Sequence, residues 1–398
     1  MTKEFRSPKS EVQIFSKPRS LRAAGFGLVS SFAILVSGFL IFAPSPCFPA
    51  SPWSLALPGW QYEFPRDHQP HRDFKTEWWY FTGNLHDTDG RRFGYQVTFF
   101  RQGIRPPADR GETASDLIVN DLPFAHFCIS DPEGHRFLFQ QKISRGAFEQ
   151  AGFGQSNRLA WIDDWSLHLH ADQSFKLQAS SDAAALVLDL ANTKPSWTIH
   201  GIDGVSQKAI GEGRASHYYS GTRLRTGGTL TLENKHFAVT GESWFDHEWA
   251  TNQLTPEQAG WDWFSVQLDD GSELMLYQMR LRSGATDPAS SGTYINASGQ
   301  TRHLVRDDYH LEPLQFWTSK KSGARYPVSW RISVPNIDLQ LELTTPIPNQ
   351  ELALESITYW EGMIDLHGTN EGHPTRGHGY LELTGYASPL TATLAEHK

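Results

Sequence analysis

Short runs of alternating apolar and polar residues dominate the chain after residue 50, separated by clusters of Asp, Gly, Asn and Pro. Ser166-Leu167-His168-Leu169-His170, Leu186-Val187-Leu188-Asp189-Leu190, Leu339-Gln340-Leu341-Glu342-Leu343 and Tyr380-Leu381-Glu382-Leu383-Thr384 all keep period two. That period puts one set of side chains into a core and the other set outside, as in antiparallel sheets and barrels. Phe93-Gly94-Tyr95-Gln96-Val97-Thr98-Phe99-Phe100 reads as a further strand, entered through the turn Asp87-Thr88-Asp89-Gly90. Few stretches combine a helical period with credible caps. The body is therefore expected to be all-β.

An internal repeat sets the expected domain count. Glu77-Trp78-Trp79-Tyr80-Phe81-Thr82-Gly83-Asn84-Leu85 matches Gly260-Trp261-Asp262-Trp263-Phe264-Ser265-Val266-Gln267-Leu268 at a constant offset of 183. Each copy runs into an Asp-Gly turn and a second strand that ends at Arg101 or Arg280. Asp67-His68 and Asp246-His247 precede the two tryptophan strands at similar distances. Two related β domains in tandem are expected, at 60–240 and 241–395, each long enough to close into a barrel with an interior cavity.

Composition narrows the function. The chain has 398 residues and a net charge of −9. Residues 1–22 hold six basic and two acidic side chains, so this tail carries +4 and the remaining chain −13. An acidic body argues against a surface that tracks nucleic-acid phosphates. Aromatic residues make up 13% of the chain, enough for a sizeable core, and two cysteines exclude a disulfide framework. Residues 23–43 form an uncharged apolar run, long enough to span a bilayer, followed by a Pro-rich linker at 44–59. With the basic tail ahead of it, this run is read as a signal or anchor helix. The body is expected to lie across the cytoplasmic membrane, anchored through 23–43 or released.

Four further segments carry a family resemblance: Phe64-Pro65-Arg66-Asp67-His68, Thr76-Glu77-Trp78-Trp79-Tyr80-Phe81-Thr82-Gly83, Trp244-Phe245-Asp246-His247-Glu248-Trp249 and Gly379-Tyr380-Leu381-Glu382-Leu383-Thr384-Gly385-Tyr386. They resemble the opening, central and closing motifs of the AttH/carotenoid 1,2-hydratase-like family. The resemblance implies two tandem lipocalin-like barrels. It further implies either a secreted AttH-type protein, working beside a lipoprotein-release-type ABC transporter permease, or a hydratase acting on an apolar polyene. On the hydratase side it places catalytic roles on His247 and Trp249. The further Tyr/Asp pair of the hydratases has no match here, because Tyr277 is followed by Gln278, Met279 and Arg280.

Candidate chemistry centres on Asp246-His247-Glu248-Trp249. On an extended strand Phe245, His247 and Trp249 share one face, and Trp244, Asp246 and Glu248 the other. Hydrating an alkene requires a general acid, a base that activates water, and a means of holding the cation formed between them. Asp246 or His247 could move the protons, while Trp249, Trp261, Trp263 and Tyr277 could hold a cation or an apolar guest against their rings. The alternative makes Asp-His a framework pair in which the carboxylate orients the imidazole. Glu77, beside two tryptophans, requires an arginine such as Arg66 or Arg101 if it is buried. No histidine spacing matches a zinc pattern, and neither metal nor cofactor is expected. The leading expectation is an exported protein that binds a lipid or isoprenoid-like ligand inside a barrel. The alternative is a hydro-lyase of the same fold.

Overall fold

A computed structural model describes residues 51–111, 118–354 and 357–390. The basic tail, the apolar run at 23–43 and residues 44–50 of the Pro-rich linker lie outside the described residues. Among the described residues, no helix is long and apolar enough to cross a membrane.

The alternating segments become strands of two antiparallel sheets. The first holds thirteen strands between residues 76 and 250, the second ten between 258 and 383. Both are meanders in which the opening strand pairs on one side with the next strand and on the other with the last. In the first sheet the opening strand Thr76–Asp87 lies between Arg92–Gly103 and the closing strand Lys235–Ala250. In the second, the opening strand Gln258–Leu268 lies between Glu273–Leu281 and the closing strand His373–Leu383. The two tryptophan segments thus hold equivalent places, which is the structural content of the 183-residue repeat.

Each sheet curls around its own core. Phe127 and Trp165, from strands far apart in the sheet order, meet edge to face with ring centroids 5.7 Å apart. Phe264 and Trp330 do the same in the second sheet at 5.4 Å. Large side chains pack both interiors, among them Phe81, Phe175 and Phe245 in the first and Ile332, Leu341 and Trp360 in the second. The fold is two tandem lipocalin-like curled sheets.

Two details differ from the sequence reading. The strand bearing Asp246-His247 closes the first sheet, so the passage between sheets falls at 251–257 and not at 240. The Asp-His repeat consequently dissolves: Asp67-His68 sits in the turn Arg66–His68, and both it and Asp246-His247 belong to the first half. The sheets approach closely where Gly94 faces Tyr380 and Met363. A Cβ there would come within 2.6 Å of the Tyr380 hydroxyl.

Candidate active site

The closing strand of the first sheet separates two environments. On its inner face, His247 is buried, with Nε2 2.9 Å from Glu77 Oε1 and Nδ1 2.9 Å from the Asp67 carbonyl and 3.1 Å from the Tyr219 hydroxyl. Tyr219 continues to His68 Nδ1 at 2.6 Å. Arg101, and not Arg66, answers Glu77: its Nε donates to Oε2 at 2.8 Å. Arg66 binds Asp67 instead. His71 bridges the two acids, with Nδ1 2.8 Å from Glu77 and Nε2 3.3 Å from Asp67. Its ring lies flat on Trp249, centroids 3.6 Å apart.

The charges in this network are balanced. Burial alone would raise the Glu77 pKa, but Arg101, His247 and His71 hold it well below the usual carboxylate range. Burial lowers the proton affinity of His247, partly offset by Glu77. Ligand atoms of His71, Glu77 and His247 lie within 4.8 Å of one another, a spacing compatible with a cation. However, Glu77 is already engaged by both imidazoles and by a guanidinium that would repel a metal ion. The network is therefore read as a hydrogen-bonded framework.

The outer face of the same strand looks into a cavity of about 130 Å³ between the two sheets. One water needs about 10–15 Å³ on this measure, so a compact organic group and a water fit together. Trp78, Tyr80, Phe100, Trp261, Trp263 and Tyr277 supply aromatic wall; Gln253 and Leu254 of the connecting segment border it. The wall repeats itself across the two halves. The 183-residue offset pairs Trp78 with Trp261 and Tyr80 with Trp263. Their cross-strand neighbours Phe100 and Thr98 correspond to Met279 and Tyr277. On the closing strands, Asp246 opposite Tyr80 corresponds to Glu382 opposite Trp263.

These two carboxyls both line the cavity and are both buried or nearly so. Asp246 accepts from the Tyr218 hydroxyl at 2.7 Å, from Trp244 Nε1 at 2.6 Å and from Ser220 Oγ. Burial nevertheless raises its pKa to about 7. Glu382 accepts from Trp261 Nε1 at 3.0 Å, and burial also raises its pKa to about 7, with Asp246 and Glu248 adding repulsion. Lys208 stands 3.3 Å from Glu248 and 4.0 Å from the centre of the Tyr277 ring. Near neutrality each of these acids can give or take a proton, the condition for general acid–base work.

Of the residues expected from the sequence, Asp246, Trp261, Trp263 and Tyr277 converge on this cavity, whereas His247 and Trp249 face the interior of the first sheet. The guest site expected inside a barrel is occupied by core side chains, and the cavity lies between the sheets. Tyr277 donates to the Gln207 carbonyl at 2.6 Å and has no acid beside it in sequence, but strands from both halves bring Asp246 and Glu382 to its cavity. Glu382 and Tyr218 were not singled out as site residues. The 183-residue offset carries Asp246 beyond residue 398, so the sequence repeat does not reach Glu382; the pairing of the two closing strands does.

Fold and site together define a tandem lipocalin-like protein with an acid-bearing cavity between its halves. The AttH-like family model matches residues 55–386, and the chain belongs to that family. A crystal structure of a putative AttH from Nitrosomonas europaea is 33% identical, covers 84% of this chain and 99% of its own, and superposes with a TM-score of 0.75. Kievitone hydratase from Nectria haematococca shares the fold at 14% identity, covering 85% of this chain and 98% of its own with a TM-score of 0.65. Dehydratase asqC of Emericella nidulans is 22% identical over 272 residues, 63% of this chain and 72% of that protein.

Proposed function

We propose that the protein is a hydro-lyase, adding water to or removing it from a largely apolar compound whose reacting end is held between the two sheets. The observation that carries this reading is the pair of buried carboxyls, Asp246 and Glu382, facing an aromatic cavity with pKa values near 7. In hydration, one carboxyl transfers its proton to an alkene carbon, leaving a cation on the adjacent carbon. Water attacks that carbon, and the other carboxylate takes the released proton; dehydration is the reverse. The faces of Trp261, Trp263 and Tyr277 would stabilise the cation by about 2 kcal/mol or more in a dry cavity. A hydratase and a dehydratase among the relatives lend this reading support.

A second reading, capture of an apolar guest without conversion, is favoured by the same aromatic walls. It matches the expectation of an exported carrier handing its ligand to an ABC permease. Oxygen-18 water separates the two. The full chain is incubated with kievitone and, separately, with an acyclic carotenoid, and binding is followed by tryptophan quenching. The hydro-lyase reading predicts label in at least one product, lost in Asp246→Asn. Binding of both compounds without label in either would overturn it in favour of the carrier.

A further inference from the structure

The two halves of the cavity are equivalent in position but not in what stands beside each acid. In the first sheet, the strand next to the closing strand places Ser220 opposite Asp246. In the second, the corresponding position opposite Glu382 is Glu361 on the strand Thr358–Asn370. One acid therefore faces a hydroxyl donor and the other faces a second acid. Glu361 is wholly buried; its Oε1 accepts from the Tyr80 hydroxyl at 2.7 Å, and its Oε2 has no partner among the described residues.

From this asymmetry we infer that Glu361 and Glu382 share a proton, and that Glu361 thereby makes Glu382 the acid and Asp246 the base of the inter-sheet site. Like charges directly opposite on neighbouring strands repel, and two buried carboxyls in contact cannot both ionise near neutrality. No cation appears among the groups acting on Glu361, which are Glu382, Tyr80 and Asp246. Tyr359, Tyr380 and Cys128 also pack around the pair; burial raises the pKa of each, so they stay neutral. Asp246, by contrast, has three donors arranged to favour its carboxylate: Tyr218, Trp244 and Ser220. Three donors on one carboxyl and a second acid opposite the other assign the base to Asp246 and the acid to Glu382.

The inference rests on the hydro-lyase reading for its chemistry. Glu382 gives its proton to the substrate carbon, and a C–H bond forms. Water forms the C–O bond and loses its proton to Asp246. Solvent then carries a proton from Asp246 back to the Glu361–Glu382 pair. Glu361 stands opposite Glu382 across the strand pair and does not line the cavity, so it is a positioning residue.

The test is an infrared titration of the full chain, following the C=O stretch of protonated carboxyls, with Glu361→Gln and Glu382→Gln assigning the bands. In the wild type, one proton should persist on the pair above pH 7. Glu361→Gln removes the opposing acid, so Glu382 should ionise at least about one pH unit lower, a tenfold loss of proton affinity. If a hydrated product is formed, the acid limb of its pH profile should move by the same amount. Tyr80→Phe removes a donor to the ionised form of Glu361, so the pair should hold its proton to higher pH. This variant carries the test if Glu361→Gln fails to fold. An unmoved Glu382 band in Glu361→Gln, or an unmoved pair in Tyr80→Phe, would overturn the inference. Absence of oxygen-18 product with these shifts intact would remove the hydro-lyase reading alone, and label without the shifts would remove the shared proton alone.

Discussion

Asp246 and His247 are neighbours in sequence, yet their side chains enter opposite regimes. Inside the first sheet, Glu77 is buried within reach of a fixed cation, Arg101, which holds it ionised, and the Glu77 carboxylate also hydrogen-bonds His71 and His247. Across the strand, Asp246 is buried with neutral donors and no paired cation, and its proton affinity rises to the neutral range. Burial depth does not separate the two faces. The presence of an answering cation does: Arg101 keeps Glu77 ionised as framework, whereas Asp246, with none, is left able to exchange a proton.

This contrast can be broken from either side. Replacing Arg101 with Met should be the most damaging change, because it strands the Glu77 charge; a loss of about 3–5 kcal/mol in denaturant unfolding is expected. His247→Ala should cost about 1–3 kcal/mol by leaving Glu77 and Tyr219 short of a partner. It should leave the cavity's ligand binding unchanged by tryptophan quenching; abolished binding in a folded variant would show that the two faces are not separate.

The faces also predict opposite responses to pH. Asp246 and Glu382 release their protons near pH 4 in the unfolded chain but at about 7 in the fold. The folded state binds more protons between those values, so their contribution to stability is full below about pH 4 and is lost as pH rises towards 7. For Glu77, whose pKa is lowered on folding, the sign reverses: its contribution is present above about pH 4.3 and is lost on acidification. Asp246→Asn should flatten the decline towards neutrality, and Glu77→Gln the decline into acid; unfolding midpoints across pH check both. The smallest effect is expected for Trp261→Phe, which deletes the indole donor to Glu382 and should cost roughly 0.5–1.5 kcal/mol while raising the pKa of Glu382.

Much of this arrangement was legible in the chain. Alternation marked the strands, and the Trp78-Trp79 and Trp261-Asp262 segments marked the repeat that the sheets obey. The two faces of 244–249 followed from extended geometry, and the need for an arginine at Glu77, Arg66 or Arg101, followed from the cost of burying a charge. What alternation does not encode is which edge a strand joins. The strand Lys235–Ala250 was accordingly cut at 240 and its Asp246-His247 end assigned to the second half, though the strand pairs with Thr76–Asp87 of the first. Nor does alternation reveal what covers the outward face. In Tyr380-Leu381-Glu382-Leu383 the polar position reads as wet, but packing against the other sheet buries Glu382 and puts it opposite Glu361. A cavity built by two sheets belongs to neither repeat alone, which is why the ligand was expected inside a barrel.

The two faces of one strand differ in kind. Paired unfolding measurements at pH 7 on Asp246→Asn and Glu77→Gln test this most directly, since each exchanges a buried carboxyl for its near-isosteric amide. Glu77→Gln should destabilise by about 3–5 kcal/mol, because Arg101 loses its fully buried carboxylate partner and keeps only Asp121. Asp246→Asn should stay within about 1 kcal/mol of the wild type or exceed it, because no cation loses a partner. Equal and large losses in both would contradict the account and make Asp246 part of the same framework as His247.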